Sequence, residues 1–265
     1  MTVTMRYALK IAYDGTKFSG SQRQPNVRTV DGECIFVLKK IKAIVDTRKA
    51  RFQSASRTDT GVGAVGNVIA FDTLTRKDAI VGAFNSAARN VWAWAVANVP
   101  DDFRARNAVQ RWYRYFMRGD FDIETVRVAT RLFVGEHDFK RFTQDKNNTT
   151  RKVNSIEVLK GGDFIVLDFK AQSYLRSMIR RIVAAIEKYC MGEIKLNQIE
   201  RALKGDKFDF GLASAEPLVL VDVEYDFDFQ VVPSRKINKE INELLEDYRL
   251  GNERLTLMAL KLGVR

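Results

Sequence analysis

The sharpest chemical feature of the sequence is a carboxylate in a segment of small residues. Asp59 follows Arg57 and Thr58 and precedes Thr60-Gly61-Val62-Gly63, a composition typical of a loop between two strands. A carboxylate beside a cation can act as a nucleophile or as a general base where water is excluded. An aspartate in a loop is more often a turn residue or a helix cap, so the tripeptide alone leaves both interpretations open.

A second candidate is an arginine in a strongly apolar helical segment. Arg180 follows Met178-Ile179 and precedes Arg181-Ile182-Val183, and it shares a helix face with Arg176. The common role of such an arginine is to lay its aliphatic stem along apolar surface and reach solvent. The alternative is that Arg180 pairs with a buried carboxylate and keeps it ionised inside a cleft.

Arginines and aromatic residues interleave in one segment of the chain. Its members are Arg104, Arg106, Arg111, Trp112, Tyr113, Arg114, Tyr115, Phe116 and Arg118. Rings that stack on bases and arginines that pair with phosphates are the side chains with which proteins hold RNA. A half-buried strand with a solvated face also fits this alternation.

The amino-acid composition indicates the kind of partner and excludes several kinds of site. The chain has 44 Lys and Arg residues against 33 Asp and Glu, a net charge of +11, which favours a polyanionic partner such as nucleic acid. His137 is the one histidine, and Cys34 and Cys190 lie far apart, so we expect neither a zinc site nor a disulfide framework. No glycine-rich nucleotide loop occurs. Nucleotide cofactors therefore have no support, and acid–base chemistry should fall to carboxylates and tyrosines.

The hydropathy of the sequence indicates in which cellular compartment the protein is expected. No stretch reaches the roughly 18 uninterrupted apolar residues of a membrane span. Residues 1–10 alternate polar and apolar side chains and lack the apolar core of a signal peptide. We therefore expect a cytoplasmic protein with no membrane partner.

Apolar periodicity predicts two halves with the same order of elements. In the first half the strands are Tyr7–Tyr13, Arg51–Ser54, Val68–Phe71 and Val91–Val99, with helices from Thr29 to Val45 and over Asp78–Ala88. In the second half the strands are Val109–Arg118, Val153–Leu159, Phe164–Phe169 and Leu218–Tyr225, with helices after Asp122, over Tyr174–Ile186 and over Leu196–Leu203. Gly161-Gly162 predicts a hairpin between the middle strands.

This order predicts an α+β fold. It consists of two ferredoxin-like (β-α-β-β-α-β) subdomains whose antiparallel sheets join around a central cleft. The expected boundaries are 1–108 for the subdomain with the Asp59 loop, 109–230 for the second subdomain and 231–265 for a charged helical tail.

The chain resembles the tRNA pseudouridine synthase A family at several collinear places. The matching segments are Tyr13–Phe18, Gln22–Val30, Arg57–Val62, Asp102–Arg106, Tyr113–Tyr115, Phe133–Phe139, Tyr174–Val183 and Ala215–Leu218. One such motif would be unspecific, but the series keeps its order over roughly residues 6–225. The resemblance implies an enzyme that isomerises uridine to pseudouridine in the anticodon arm of tRNA, typically at positions 38, 39 and 40. It also implies a homodimer without a metal or organic cofactor.

The resemblance assigns roles to individual residues. Asp59 is the implied catalytic aspartate and Arg180 its partner. Tyr113 would stack on the flipped base, and Arg57 would help to occupy the gap that this base leaves. The other implied substrate-binding residues are Arg23, Arg106 and Tyr115.

The chain departs from the family pattern at three positions. Ser19 and Ser21 stand where the family often has His and Trp, and Gly63 stands where His is common. We expect these changes to alter RNA contacts in the first half. A non-catalytic tRNA-binding protein or RNA chaperone on the same fold is the alternative function. The joint presence of Asp59, Arg180 and Tyr113 favours the enzyme, because binding alone requires no such pairing.

Overall fold

The protein is a mixed α+β structure in the computed structural model, which describes residues 4–161 and 164–233. The described strands are β1 (Met5–Tyr13), β2 (Gln53–Ser54), β3 (Gly63–Thr73), β4 (Val91–Asn98), β5 (Gln110–Arg118), β6 (Gly135–Asp138), β7 (Thr150–Gly161), β8 (Phe164–Ala171), β9 (Leu218–Glu224) and β10 (Gln230–Val231). The described α-helices are α1 (Val30–Lys40), α2 (Lys77–Ala87), α3 (Ile123–Arg131), α4 (Met178–Cys190) and α5 (Leu196–Leu203). The predicted α+β class is confirmed, and the strands pair mostly antiparallel.

The chain divides into two compact units. One contains Met1–Val109 together with the chain from Val219 onward, and the other is Gln110–Leu218. In this division β9 groups with the first unit, whereas the sequence pattern placed it in the second. The predicted domain boundaries remain a prediction.

The sheet of the first unit has β1 at its centre. β1 pairs antiparallel with β3 on one side and with β4 on the other. β2 adds to β3 antiparallel, β9 adds to β3 in parallel, and β10 adds to β4. Nearly all of β1 is buried, so the strand that ends at Tyr13 is a rigid support for the loops beyond it.

Helix α1 begins where the sequence predicts. The side chain of Thr29 accepts a hydrogen bond from the backbone N–H of Gly32 at 3.2 Å, and this cap satisfies one of the helix's exposed donors. The predicted end of the helix was wrong: α1 stops at Lys40 because Lys42 adopts φ 57°. Val45, which the apolar spacing placed on the inner face, is 89% exposed.

The sheet of the second unit has the order β5-β8-β7-β6. Tyr113 and Tyr115 on β5 lie opposite Phe169 and Leu167 of β8, so the two tyrosines share a face. The predicted hairpin is confirmed, since β7 and β8 pair antiparallel as far as Gly161 and Phe164. Gly162 lies outside the described residues.

Helix α4 begins later than predicted. It starts at Met178, directly after Ser177, which has the left-handed conformation with φ 56° and ψ 15°. The segment from Gln172 to Ser177 is therefore not helical, although the apolar spacing extended the helix back to Tyr174. Residues 234–265, which make up most of the predicted helical tail, lie outside the described residues. Within the described part of the chain, no helix is long and apolar enough to cross a membrane.

Candidate active site

The loop that carries Arg57 and Asp59 is anchored through the residue between them. Thr58 donates its backbone N–H to the Ser21 hydroxyl at 2.8 Å and accepts from the Ser21 N–H at 3.0 Å. Its own hydroxyl lies 2.9 Å from the Tyr13 hydroxyl. Thr58 and Ser21 are buried, so these bonds are shielded from water and fix the backbone on both sides of Thr58.

Asn67 on β3 also holds this loop in place through side-chain hydrogen bonds. Its side-chain carbonyl accepts from the Ser56 N–H at 3.2 Å, and its amide donates to the Ser56 carbonyl at 3.1 Å and to the Tyr13 hydroxyl at 3.2 Å. Asn67 is 1% exposed, and a buried amide with these partners specifies one loop conformation. The sequence analysis missed Asn67, because a single polar residue inside an apolar strand carries no motif.

Two glycines allow the first turn of the chain to approach the Asp59 loop. A Cβ on Gly15 would lie 2.1 Å from the carbonyl oxygen of Val62, which no real side chain tolerates. Gly20 has φ +83°, and a Cβ there would lie 3.2 Å from the carbonyl oxygen of Thr58. Both positions therefore require glycine. The Tyr13–Phe18 motif thus supports the Asp59 loop at close range.

Ser21 explains one departure from the family pattern. From the sequence, Ser19 and Ser21 are expected to alter RNA contacts. In the structure, however, Ser21 is 1% exposed and forms hydrogen bonds with both the N–H and the carbonyl of Thr58. A small hydroxyl side chain suits this position because its oxygen accepts the hydrogen bond from the Thr58 N–H, while the Ser21 backbone N–H donates to the Thr58 carbonyl.

Three candidate RNA-binding arginines of the first unit lie near the carboxyl group of Asp31. Asp31 lies in the first turn of α1 and accepts a hydrogen bond from the Ser54 hydroxyl at 2.7 Å. Burial raises the pKa of Asp31 to about 6, while the Ser54 hydrogen bond and the charges of Arg57, Arg106 and Arg23 act in the opposite direction. The three arginines therefore lie close enough to act on one carboxyl group. Sequence reasoning treated Asp31 only as a favourable first-turn acid.

In the second unit Tyr113 is fixed by a neighbouring ring. Its side chain is 6% exposed, and its ring packs edge-to-face on Tyr174, with centroids 5.3 Å apart and planes at 84°. Such T-shaped pairs are the favoured geometry of aromatic contacts. Tyr113 is thus a rigid ring and hydroxyl at a defined place on β5.

Tyr115 lies deeper than its neighbour on the same strand. It is 2% exposed, and burial raises its pKa, with the charge of Glu187 adding to the rise and that of Arg180 opposing it. Its predicted contact with substrate remains a prediction. The burial itself supports a packing role beneath α4.

Arg180 is held by the backbone of a later segment. Its Nε donates to the Ala213 carbonyl at 2.8 Å, and the Ala213 N–H donates to the Arg180 carbonyl at 3.1 Å. One hydrogen bond to Ala213 therefore directs the guanidinium, and a second one to the same residue fixes the backbone of Arg180. A surface arginine that only extends to solvent needs no such anchoring.

Arg114 on β5 pairs with a residue of the neighbouring strand in the same sheet. Arg114 binds both carboxylate oxygens of Asp168 on β8, at 2.8 and 2.6 Å, and its guanidinium lies 5.5 Å from the centroid of Trp112. Asp168 is 3% exposed. For Arg114, the interpretation as part of a structural strand is confirmed, because a two-point contact with a buried carboxylate occupies the guanidinium.

The described residues show two groups of predicted site residues. Asp59, Arg57, Arg23 and Arg106 belong to the first unit, and the second unit contains the others, Tyr113, Tyr115 and Arg180. Among the described residues, no group of His, Cys, Asp and Glu has an arrangement suited to a metal ion.

Comparisons with known proteins identify the family of the chain. The model of a family described as tRNA pseudouridine synthase matches residues 129–226. The chain is 41% identical to the tRNA pseudouridine synthase A of Thermococcus sibiricus, over 92% of this chain and 94% of the relative. It is 41% identical to that of Pyrococcus horikoshii over 83% and 85%, and 38% identical to that of Methanococcoides burtonii over 93% and 94%.

These matches define the class as the pseudouridine synthases, which are isomerases. Within that class, the chain belongs to the tRNA pseudouridine synthase A family.

Proposed function

We propose that the protein isomerises uridine to pseudouridine in the anticodon arm of tRNA, at positions 38, 39 and 40, with Asp59 as the catalytic residue. The observation that carries this proposal is the fixed loop around Asp59. Thr58 is held by Ser21 and Tyr13, and Asn67 holds the preceding residue. A binding surface for RNA tolerates mobile side chains, whereas a carboxylate that attacks one atom must be held in place.

The reaction breaks the bond between N1 of uracil and C1′ of ribose and forms a bond between C5 and C1′. C5 loses a proton and N1 gains one, so the atoms balance without oxidation, reduction or hydrolysis. No cofactor is therefore required. Asp59 assists either by adding to C6 of uracil or by attacking the sugar as the glycosidic bond breaks, and both routes use the same carboxylate.

The residues of the second unit complete the proposed site. By its place in the family motif, Arg180 pairs with Asp59 and keeps the carboxylate ionised. Tyr113 stacks on the uracil after the base has left the RNA helix, which costs a few kcal/mol, and its hydroxyl relays the C5 proton. The fixed orientation of both side chains supports these roles.

The first unit supplies the proposed RNA contacts. Arg23 and Arg106 bind phosphates near the anticodon arm, and Arg57 enters the gap that the flipped base leaves. The grouping of these arginines around Asp31 supports a shared surface. In the second unit Tyr115, which shares a face of β5 with Tyr113, also binds the substrate. The net charge of +11 supplies the attraction at longer range.

Two further features belong to the same proposal. Each half of the chain is a ferredoxin-like subdomain. The order β4-β1-β3-β2 in the first unit and β5-β8-β7 in the second supports the subdomain assignment. By analogy with its family, the protein works in the cytoplasm as a homodimer.

Pseudouridine formation on an unmodified tRNA transcript tests the proposal. The parent protein should convert several tRNA molecules per active site, with the product mapped to positions 38–40 in the transcript. Transcripts that carry cytidine at these positions are the matched control. Binding without conversion would contradict the proposal and would favour a tRNA-binding protein or chaperone.

A further inference from the structure

Tyr174 has a buried hydroxyl for which the described residues provide no hydrogen-bond partner. It lies in the non-helical segment between β8 and α4. Burying a hydroxyl without a hydrogen bond is unfavourable, and phenylalanine would fill the same space without that cost. A tyrosine at this position therefore suggests a partner that becomes available during the reaction.

Other buried tyrosine hydroxyls of the protein have partners of their own. The Tyr13 hydroxyl contacts Thr58 and Asn67, and the Tyr225 hydroxyl donates to the Ala105 carbonyl. Both bonds are structural, since they join parts of one unit. Tyr174 differs from both, because its buried hydroxyl has no such partner among the described residues.

The neighbour of Tyr174 is Tyr113. Their rings meet edge-to-face with centroids 5.3 Å apart. Burial raises the pKa of Tyr174 well above its usual range, and the charge of an ionised Tyr113 raises it further, while Arg111 opposes the rise. Tyr174 therefore keeps its proton and can serve as a hydrogen-bond donor throughout the neutral range.

We propose that Tyr174 is a positioning residue for Tyr113 in the isomerisation. Its ring fixes the Tyr113 ring, and its hydroxyl donates a hydrogen bond to the Tyr113 oxygen while Tyr113 moves the C5 proton. Tyr174 itself undergoes no net change, because it donates a hydrogen bond without transferring its proton. This inference rests on the role of Tyr113 in the proposed function.

The first test is Tyr174→Phe in the full chain, which keeps the ring and removes the hydroxyl. With unmodified tRNA transcript, kcat should fall about 10-fold, the worth of one hydrogen bond in the transition state. KM should stay within about twofold, and the thermal midpoint should hold or rise because an unsatisfied hydroxyl is lost. The matched control is Tyr189→Phe on α4, which should change kcat less than twofold. An unchanged kcat for Tyr174→Phe, or a loss of thermal stability alone, would overturn the inference.

The second test combines Tyr174→Phe with Tyr113→Phe. If Tyr174 acts through Tyr113, its substitution should lower kcat in the parent but have less than about a twofold effect once the Tyr113 hydroxyl is gone. An undiminished 10-fold effect in that background would show that Tyr174 acts independently. Failure of the parent to form pseudouridine would refute the proposed function. An active parent with a fully active Tyr174→Phe variant refutes only this inference.

Discussion

The loop that carries Asp59 and the ring of Tyr113 are held in place by different kinds of contact. The loop in the first unit is fixed by buried hydrogen bonds from Ser21, Tyr13 and Asn67, whereas Tyr113 is fixed by its strand and by the ring of Tyr174. Hydrogen bonds have strict distances and directions, and ring packing tolerates small shifts. Asp59, the proposed catalytic carboxylate, thus lies on the more strictly defined element, and Tyr113, the ring proposed to stack on the base, is held by contacts that tolerate small shifts.

The largest effect should come from removing the charge that the loop carries. Asp59→Asn keeps the shape of the side chain but removes the nucleophile, so pseudouridine formation should fall by at least about 10³-fold. Affinity for tRNA should stay within about threefold, because phosphate contacts elsewhere dominate binding. Single-turnover assays and filter binding measure the two effects. An Asn variant with near-normal rate would remove Asp59 from the chemistry.

Arg180→Ala should produce the next largest effect. If Arg180 is the partner of Asp59, kcat should fall by about 100-fold, while the free energy of unfolding should fall by only about 1 kcal/mol through loss of the bond to the Ala213 carbonyl. The matched control is Arg176→Ala, an exposed arginine beside the same helix, which should leave kcat within about threefold. Equal effects of the two substitutions on kcat would refute the special role of Arg180.

Asn67→Ala tests whether the loop depends on its hydrogen bonds. The substitution removes the bonds to Ser56 and Tyr13 and leaves buried polar groups unpaired, so the free energy of unfolding should fall by about 2–3 kcal/mol. At a temperature where the variant stays folded, kcat should fall together with stability because the loop loses its brace. Urea unfolding measures the first effect, with the exposed Asn154→Ala as control at about 0.5 kcal/mol or less. A folded Asn67→Ala variant with parental kcat would show that the loop is held without it.

Asp31→Asn should have the smallest effect on kcat, and its effect on stability should depend on pH. The folded-state pKa of Asp31 is raised to about 6, so between pH 4 and 6 the folded protein holds a proton that the unfolded chain has released. Stability from this group is present below pH 4 and is lost as the pH rises through 6. A rise of about two pKa units corresponds to about 3 kcal/mol, so the parent should lose about that much stability relative to Asp31→Asn across this window, although the effect on kcat is the smallest of the series.

Asp46 in the same unit provides a control, because its pKa is shifted in the opposite direction from that of Asp31. The pKa of Asp46 is lowered, first through a hydrogen bond from the Lys49 backbone, so Asp46→Asn should remove stability that the parent loses as the pH falls. Parallel pH dependence of the two variants would contradict the account of Asp31.

The sequence predicted those parts of the fold that depend on local pattern. The Thr29 and Asp122 caps were correct, because a cap is decided by one side chain and the N–H groups two or three residues later. The start of α4 was wrong, because apolar spacing continues through Tyr174 while the left-handed Ser177 interrupts the helix. Apolar periodicity cannot report a single left-handed residue.

The candidate site, like the fold, could be predicted from the sequence only in part. The Asp59 motif is contiguous in sequence and could be read there, whereas Asn67, Asp31 and Tyr174 act through residues far away along the chain. Their signals are burial and partners, which exist only in the folded protein. For this reason the sequence identified the residues proposed for the chemistry but missed those that hold them.

The proposed function assigns Asp59 as the catalytic carboxylate and Arg180 as the cation that pairs with it. A double-mutant cycle in the free energy of unfolding tests this directly, with Asp59→Asn, Arg180→Ala and the double variant compared with the parent at neutral pH. Paired charges should give a coupling energy of about 1–2 kcal/mol, because the second substitution costs less once the first has removed its partner. Strict additivity, within about 0.5 kcal/mol, would contradict the pairing.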